Sequence, residues 1–188
     1  MPVLKNSDNL TKIFVYGTLK QGQPNFGHMI ERNAIFVDKA ITVDKWPLVI
    51  ASEANIPFLL YKKDFGHVCN FLEKMFFQKL NFVFFYSQNI KGEIYLVDDE
   101  TLEFLDEFEG LHQNFYSKQK ISVKSVLSGD IHEAFCYVLE NFKPYLIENT
   151  KYLLDDYDSN NNQFNLSYVK RIDTPDRADS LIEQVKYL

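Results

Sequence analysis

Ile13-Phe14-Val15-Tyr16-Gly17-Thr18-Leu19-Lys20-Gln21-Gly22-Gln23-Pro24-Asn25 is the stretch on which the fold turns. Its first three residues read as a buried strand, and within two residues the composition switches to Gly, Thr, Lys, Gly, Pro and Asn. A strand running into a glycine-containing loop can aim several backbone N–H groups at one point, because glycine allows dihedrals and close approaches that a Cβ forbids. Such a loop suits a carboxylate or a phosphate. Spacing alone leaves a second reading open, a strand followed by a plain tight turn. A nucleotide phosphate loop and a dinucleotide fingerprint are excluded, since neither GxxxxGK[ST] nor GxGxxG is present.

Outward from this stretch, short β-prone runs dominate: Lys12–Tyr16, Ala34–Thr42, Leu48–Ile50, Lys91–Val97, Tyr116–Lys124 and His132–Leu139, with turn residues between them. Helices are few. One is expected from Asp99 to Phe108, with Asp98 or Asp99 as N-cap and Gly110 as the stop. A second is expected from Tyr145 to Leu153, and a third begins at Thr174-Pro175, where proline suits the first turn. Ser159-Asn160-Asn161-Asn162 reads as a loop, and no internal repeat appears. Strands with segregated helices indicate an α+β domain.

A chain of 188 residues with 46% hydrophobic and 15% aromatic residues can bury a substantial core and is expected to form one domain. Twenty-six acidic against 20 basic residues give a net charge of −6, which argues against a general nucleic-acid binder. Met1 to Asn9 lacks the basic-then-apolar pattern of a signal peptide, and charged and polar residues interrupt the most apolar segment, Phe71 to Tyr86. No membrane association is expected. Two cysteines, Cys69 and Cys136, and four scattered histidines offer neither a disulfide framework nor zinc-ligand spacing. The expectation is a reduced, cytoplasmic domain without metal or cofactor.

The helix over Asp99–Phe108 selects one carboxylate. Leu102 and Leu105 define its inward stripe, and Glu109, seven positions from Leu102, returns to within about 20° of it at 3.6 residues per turn. Glu100, Glu103 and Glu107 point away, and Asp106 lies at the flank. Burial and the helix dipole would both raise the pKa of Glu109 towards that of a useful general base. The residues alone leave the alternative that the helix frays at Gly110 and Glu109 is a solvated terminal charge. Other candidates carry less: Lys20 as an anion attractor or a solvated lysine, Tyr95 and Tyr157 as pocket walls or packing residues, Cys136 as a core thiol. His28 has no nucleophile partner, and Asp155-Asp156-x-Asp158 lacks the glycine and glutamate of a calcium loop.

The run Val15-Tyr16-Gly17-Thr18-Leu19-Lys20-x-Gly22-x-Pro24-Asn25 resembles the opening signature of the γ-glutamylamine cyclotransferase family, within the γ-glutamyl cyclotransferase-like (AIG2-like) group. Trp46-Pro47, Ile56-Pro57-Phe58-Leu59-Leu60, Lys91-Gly92-Glu93-Ile94-Tyr95, Leu105-Asp106-x-Phe108-Glu109, Tyr157-Asp158-Ser159 and Tyr168-Val169 follow in order. The resemblance implies a mixed β-sheet curled into a small barrel with few flanking helices. The domain would span 12–175, interrupted by an insertion at 68–88, with a C-terminal helical tail at 176–188. It also implies a catalytic role for Glu109 and a substrate-binding loop of Tyr16, Gly17, Thr18 and Leu19.

The implied reaction is the cyclisation of a γ-glutamyl amine such as ε-(γ-glutamyl)-lysine to 5-oxoproline and free amine. The substrate's α-amine attacks its own γ-carbonyl, so the site needs one carboxylate to carry a proton and backbone donors to hold the substrate, without metal or cofactor. The implied partner is that small molecule, with the oligomeric state left open. Two alternatives remain: cyclotransfer on γ-glutamyl-α-amino acids, and a non-catalytic binding module retaining the fold. Val68–Gln88 has two readings of its own. It is either a phenylalanine-rich insertion or a retained intron, whose edges Val68 (a GT codon) and Gln88 (CAG) would fit.

Overall fold

A closed five-stranded barrel positions everything else. The computed structural model of the chain describes residues 10–64, 87–148, 153–160, 168–169 and 175–187. In chain order the elements are β1 (Thr11–Val15), α1 (Phe26–Glu31), β2 (Ile35–Trp46), β3 (Leu48–Ala51), β4 (Ile56–Leu59) and β5 (Gln88–Val97). There follow α2 (Asp99–Phe108), a 3-10 turn (Leu111–Gln113), β6 (Ser117–Ser125), β7 (Ile131–Val138), α3 (Tyr145–Glu148) and α4 (Pro175–Val185). The barrel order is β1-β5-β2-β6-β7, and it closes where Ile13 of β1 lies parallel to Phe135 of β7. The other barrel pairs are antiparallel, and β3 and β4 form a separate two-stranded sheet.

Side chains of a strand alternate between faces, so a strand that is apolar at every position must be covered on both. Over Ile13, Phe14 and Val15, strand β1 is such a strand. Phe14 and Tyr16 point into the barrel with Ala40, Ile94, Ile121, Val123, Ala134 and Cys136. Ile13 and Val15 point outward into a second core shared with Phe58, Leu105, Leu181 and Val185, from β4, α2 and α4. Room for the Phe14 ring comes from β5. A Cβ on Gly92 would lie 2.5 Å from Phe14 Cζ and 2.4 Å from the Val15 carbonyl oxygen, and the residue facing Gly92 across β2 is the small Ala40.

The observed elements differ from the expected ones in instructive places. Strand β2 runs on to Trp46 and β5 begins at Gln88, because register shifts within β2 let the two strands stay paired past Ile41. Strand β4 contains Pro57, which reads against a strand; here it belongs to a two-stranded sheet with β3, where a missing N–H is tolerated. Helix α1 is a single six-residue segment with one buried residue, Met29, too short to leave a periodic stripe. Helix α3 covers Tyr145–Glu148, and the expected helical end at Leu153 is not helical: the N–H of Leu154 is given to Leu48 O at 2.9 Å in a bridge to β3. Pro175 opens α4, whereas Thr174 lies outside the described residues.

Of the 68–88 segment, residues 68–86 lie outside the described residues. Ser87 is buried, and Gln88 is the first residue of β5, opposite Trp46.

Candidate active site

Helix α2 carries Glu109 to its position. Asp98 caps the helix by accepting the N–H of Thr101 at 2.9 Å, and Asp99 and Glu100 complement the positive end of the dipole. Leu105 packs into the core at 1% exposure and fixes the inward face. Glu109 follows the last helical residue and keeps helical dihedrals (φ −84°, ψ 0°), with its N–H donated to Leu105 O at 2.9 Å. Gly110 then turns left-handed at φ +69°, which ends the helix without strain. The frayed alternative is therefore not what forms: Glu109 is held at the helix end and only 9% exposed.

Glu109 lines a cleft, open to solvent at its mouth, together with Tyr16, Gly17, Thr18 and Leu19. The four loop residues differ in what they offer. The Tyr16 hydroxyl donates to Tyr137 O at 3.0 Å and accepts from Leu59 N at 3.1 Å, locking β4 against β7. Burial pushes that phenol well up, with Tyr116, Cys136 and Glu109 adding to the effect. Gly17 is required by close approach: a Cβ there would lie 2.9 Å from Pro57 Cγ.

The rest of the loop is folded on itself and clamped from outside. Lys20 N bonds Gly17 O, Gln23 N bonds Lys20 O and Asn25 N bonds Thr18 O, at 3.2, 3.0 and 2.9 Å. The buried Glu93 carboxylate accepts Gln21 N and the Tyr95 hydroxyl, each at 2.9 Å. Lys20, expected as a free or solvated charge, is instead buried and ion-paired with Asp156. The N–H groups of Gly17, Thr18 and Leu19 meet no backbone acceptor among the described residues.

The remaining candidates fall outside the cleft wall. Asp106 takes the Tyr137 hydroxyl at 2.7 Å and the Lys118 ammonium at 2.5 Å, so it braces a wall residue. Burial, then Asp106, then Glu109 push the Tyr137 phenol up. Tyr95 bonds Glu93 and Tyr157 packs at the barrel interior. Cys136 is fully buried inside the barrel, and burial raises its thiol pKa with Glu109 contributing. His28 packs on the Phe104 and Phe108 rings, with centroids 5.5 and 5.0 Å away. Asp155 pairs with Lys91 at 2.7 Å, and Asp158 accepts from Gln23 Nε2 and Asn160 N.

Asn25, Pro57, Tyr116, Tyr137 and Tyr168 also line the cleft, and sequence reasoning gave none of them a role there. They arrive from separate segments, so no spacing in the chain brings them together. Asn25, Pro57 and Tyr168 did stand in the quoted motifs, which was the available signal. No helix of the described residues is long and apolar enough to cross a membrane.

The family profile described as "Gamma-glutamyl cyclotransferase, AIG2-like" matches residues 13–73 and 72–159. The chain is 37% identical over 155 residues to gamma-glutamylaminecyclotransferase B of Danio rerio, covering 79% of this chain and 68% of that one. It is 36% identical over 145 residues to gamma-glutamylaminecyclotransferase of Rattus norvegicus, covering 72% and 82%. The crystal structure of an AIG2-like protein from Mus musculus superposes with a TM-score of 0.70 at 33% identity, over 88% of this chain and 99% of that one. With its five-stranded barrel and few helices, the chain belongs to the γ-glutamylamine cyclotransferase family, within the AIG2-like γ-glutamyl cyclotransferases, and is an enzyme of that type.

Proposed function

We propose that this enzyme converts ε-(γ-glutamyl)-lysine and related γ-glutamyl amines into 5-oxoproline and the free amine, with Glu109 as its acid–base residue. The observation that carries the reading is the buried Glu109 carboxylate sharing one cleft with the Tyr16–Leu19 loop. The N–H groups of Gly17, Thr18 and Leu19 supply donors for the α-carboxylate or for the oxyanion that develops at the γ-carbonyl. Glu109 takes a proton from the α-ammonium, and the freed amine nitrogen attacks the γ-carbonyl carbon. The five-membered ring closes as Glu109 returns its proton to the leaving nitrogen and the C–N bond to it breaks; the second proton, left on the ring nitrogen by the attack, then passes through Glu109 to the released amine, which departs as an ammonium. Atoms balance without water, because nucleophile and electrophile belong to one molecule, and the effective molarity of such a pair is large.

The test is 5-oxoproline release from ε-(γ-glutamyl)-lysine, measured beside a γ-glutamyl-α-amino acid. Faster release from the isopeptide supports the reading. Preference for the α-amino acid substrate moves the enzyme to the neighbouring class, and no release from either leaves a binding module.

A further inference from the structure

Asparagine is among the most favoured N-cap residues, because its side chain accepts a free N–H of the first helical turn. Asn25 occupies the N-cap of α1 and makes no such bond. Its carboxamide is buried, 9% exposed, and committed elsewhere: Nδ2 donates to Thr18 Oγ1 at 2.9 Å and to the Tyr168 hydroxyl at 3.1 Å. Its backbone N–H also holds Thr18 O at 2.9 Å. All three residues line the cleft with Glu109.

Direction is the important property of these bonds. A carboxamide nitrogen is a donor with two protons and no acceptor capacity, so each hydroxyl oxygen must accept and each hydroxyl proton is left to be given away. Asn25 thereby sets both hydroxyls as donors. We propose that Asn25 is a positioning residue that presents the Thr18 and Tyr168 hydroxyls as a donor pair to the α-carboxylate of the bound γ-glutamyl group. An ionised carboxylate only accepts, which matches a corner made of donors. Thr18 also carries one of the main-chain N–H groups offered above to the α-carboxylate or to the developing oxyanion. The assignment rests on the proposed function and extends it from the loop backbone to three side chains.

The experiment is calorimetric binding of 5-oxoproline and of 2-pyrrolidone, the same ring without the carboxylate, alongside KM and kcat for ε-(γ-glutamyl)-lysine. Wild type is expected to prefer 5-oxoproline. Asn25→Asp is nearly isosteric but turns both hydroxyls inward as donors to the new carboxylate. It should weaken 5-oxoproline and raise KM roughly ten-fold or more, the size of a lost hydrogen bond to a charged group. Thr18→Val and Tyr168→Phe should each erode the preference for 5-oxoproline, whereas Thr18→Ser should retain it. If Asn25→Asp does not fold, judged by its melting transition, the Thr18 and Tyr168 variants decide the matter.

Equal wild-type affinity for the two rings, Thr18→Val and Tyr168→Phe binding like wild type, or Thr18→Ser failing as badly as Thr18→Val would each overturn the assignment. An enzyme that releases 5-oxoproline while these variants are silent loses only this assignment. A chain with no turnover whose 5-oxoproline binding follows the variants loses only the proposed reaction. A wild type that neither binds nor turns over overturns both.

Discussion

Glu109 is a carboxylate at the C-terminal end of a helix, where the dipole disfavours negative charge, and it is almost fully withdrawn from water. A position so unfavourable for a charge is a reasonable place to look for chemistry. Glu109→Gln keeps the shape and removes the proton acceptor, so kcat is expected to fall by roughly 10²-fold or more while the melting temperature holds. Near-normal kcat in that variant would show the base to be assigned wrongly. Asp106→Asn is the control and should lose far less, because Asp106 braces Tyr137 and Lys118 from outside the cleft wall. Cys136 gives a second expectation. Its thiol is inaccessible inside the barrel and burial holds its pKa up, so it stays protonated at neutral pH. Iodoacetamide should leave Cys136 unmodified in the native protein and label it after denaturation, as read by peptide mass spectrometry. At this scale the inward placement of Glu109 was legible because helical periodicity runs through one continuous segment, whereas the role expected of it came from the family resemblance. Asn25 and Tyr168 were not, since their partnership joins residues separated by 143 positions.

Elements follow the same division. Helix α2 was readable from its cap, its stripe and its terminal glycine, all of them local signals. Removing the cap tests how much the helix depends on them: Asp98→Ala should cost about 1 kcal/mol, seen as a lowered melting temperature. KM and kcat should change little in the folded enzyme, since the cap lies at the opposite end of α2 from Glu109. No loss of stability would mean that packing of Leu105 alone holds the helix. Strand β4 escaped notice because Pro57 argues against a strand in the general case, and only its place in a two-stranded sheet makes proline acceptable there. The position of Pro57 also matters for the site, since its ring packs on Gly17 and shapes the loop.

For the whole molecule, the flanks of the segment between Asp64 and Ser87 supply a physical handle. Asp64 N bonds Lys45 O at 2.9 Å, and Gln88 pairs with Trp46, so the chain departs from and returns to adjacent residues of β2. A segment whose ends already meet can be shortened with a small change in closure entropy. Deleting residues 68–86 is therefore expected to preserve the barrel and 5-oxoproline release, and to lessen self-association in sizing chromatography by removing Phe71, Phe76 and Phe82–Phe85. Carrying the deletion on through Gln88 should lower the melting temperature, because Ser87 is buried and Gln88 is a ladder residue. Unfolding of the shorter deletion would show the segment to be an integral part of the structure. Sequencing of transcripts across the junction separates insertion from retained intron.

By itself, the sequence determined the buried strand β1, the loop that follows it, the capped helix ending in Glu109 and, through an ordered series of motifs, the family. Each is encoded within a short window, where propensity, periodicity and turn chemistry act between neighbours. Only the tertiary structure decided how β1 closes onto β7, why Gly92 must lack a side chain beneath Phe14, and that Lys20 is paired rather than free. It also brought Thr18, Asn25, Tyr137 and Tyr168 to the cleft that Glu109 lines. Those outcomes depend on packing and hydrogen bonds between residues far apart in the chain, and no local pattern carries information about a partner that folding has yet to bring near.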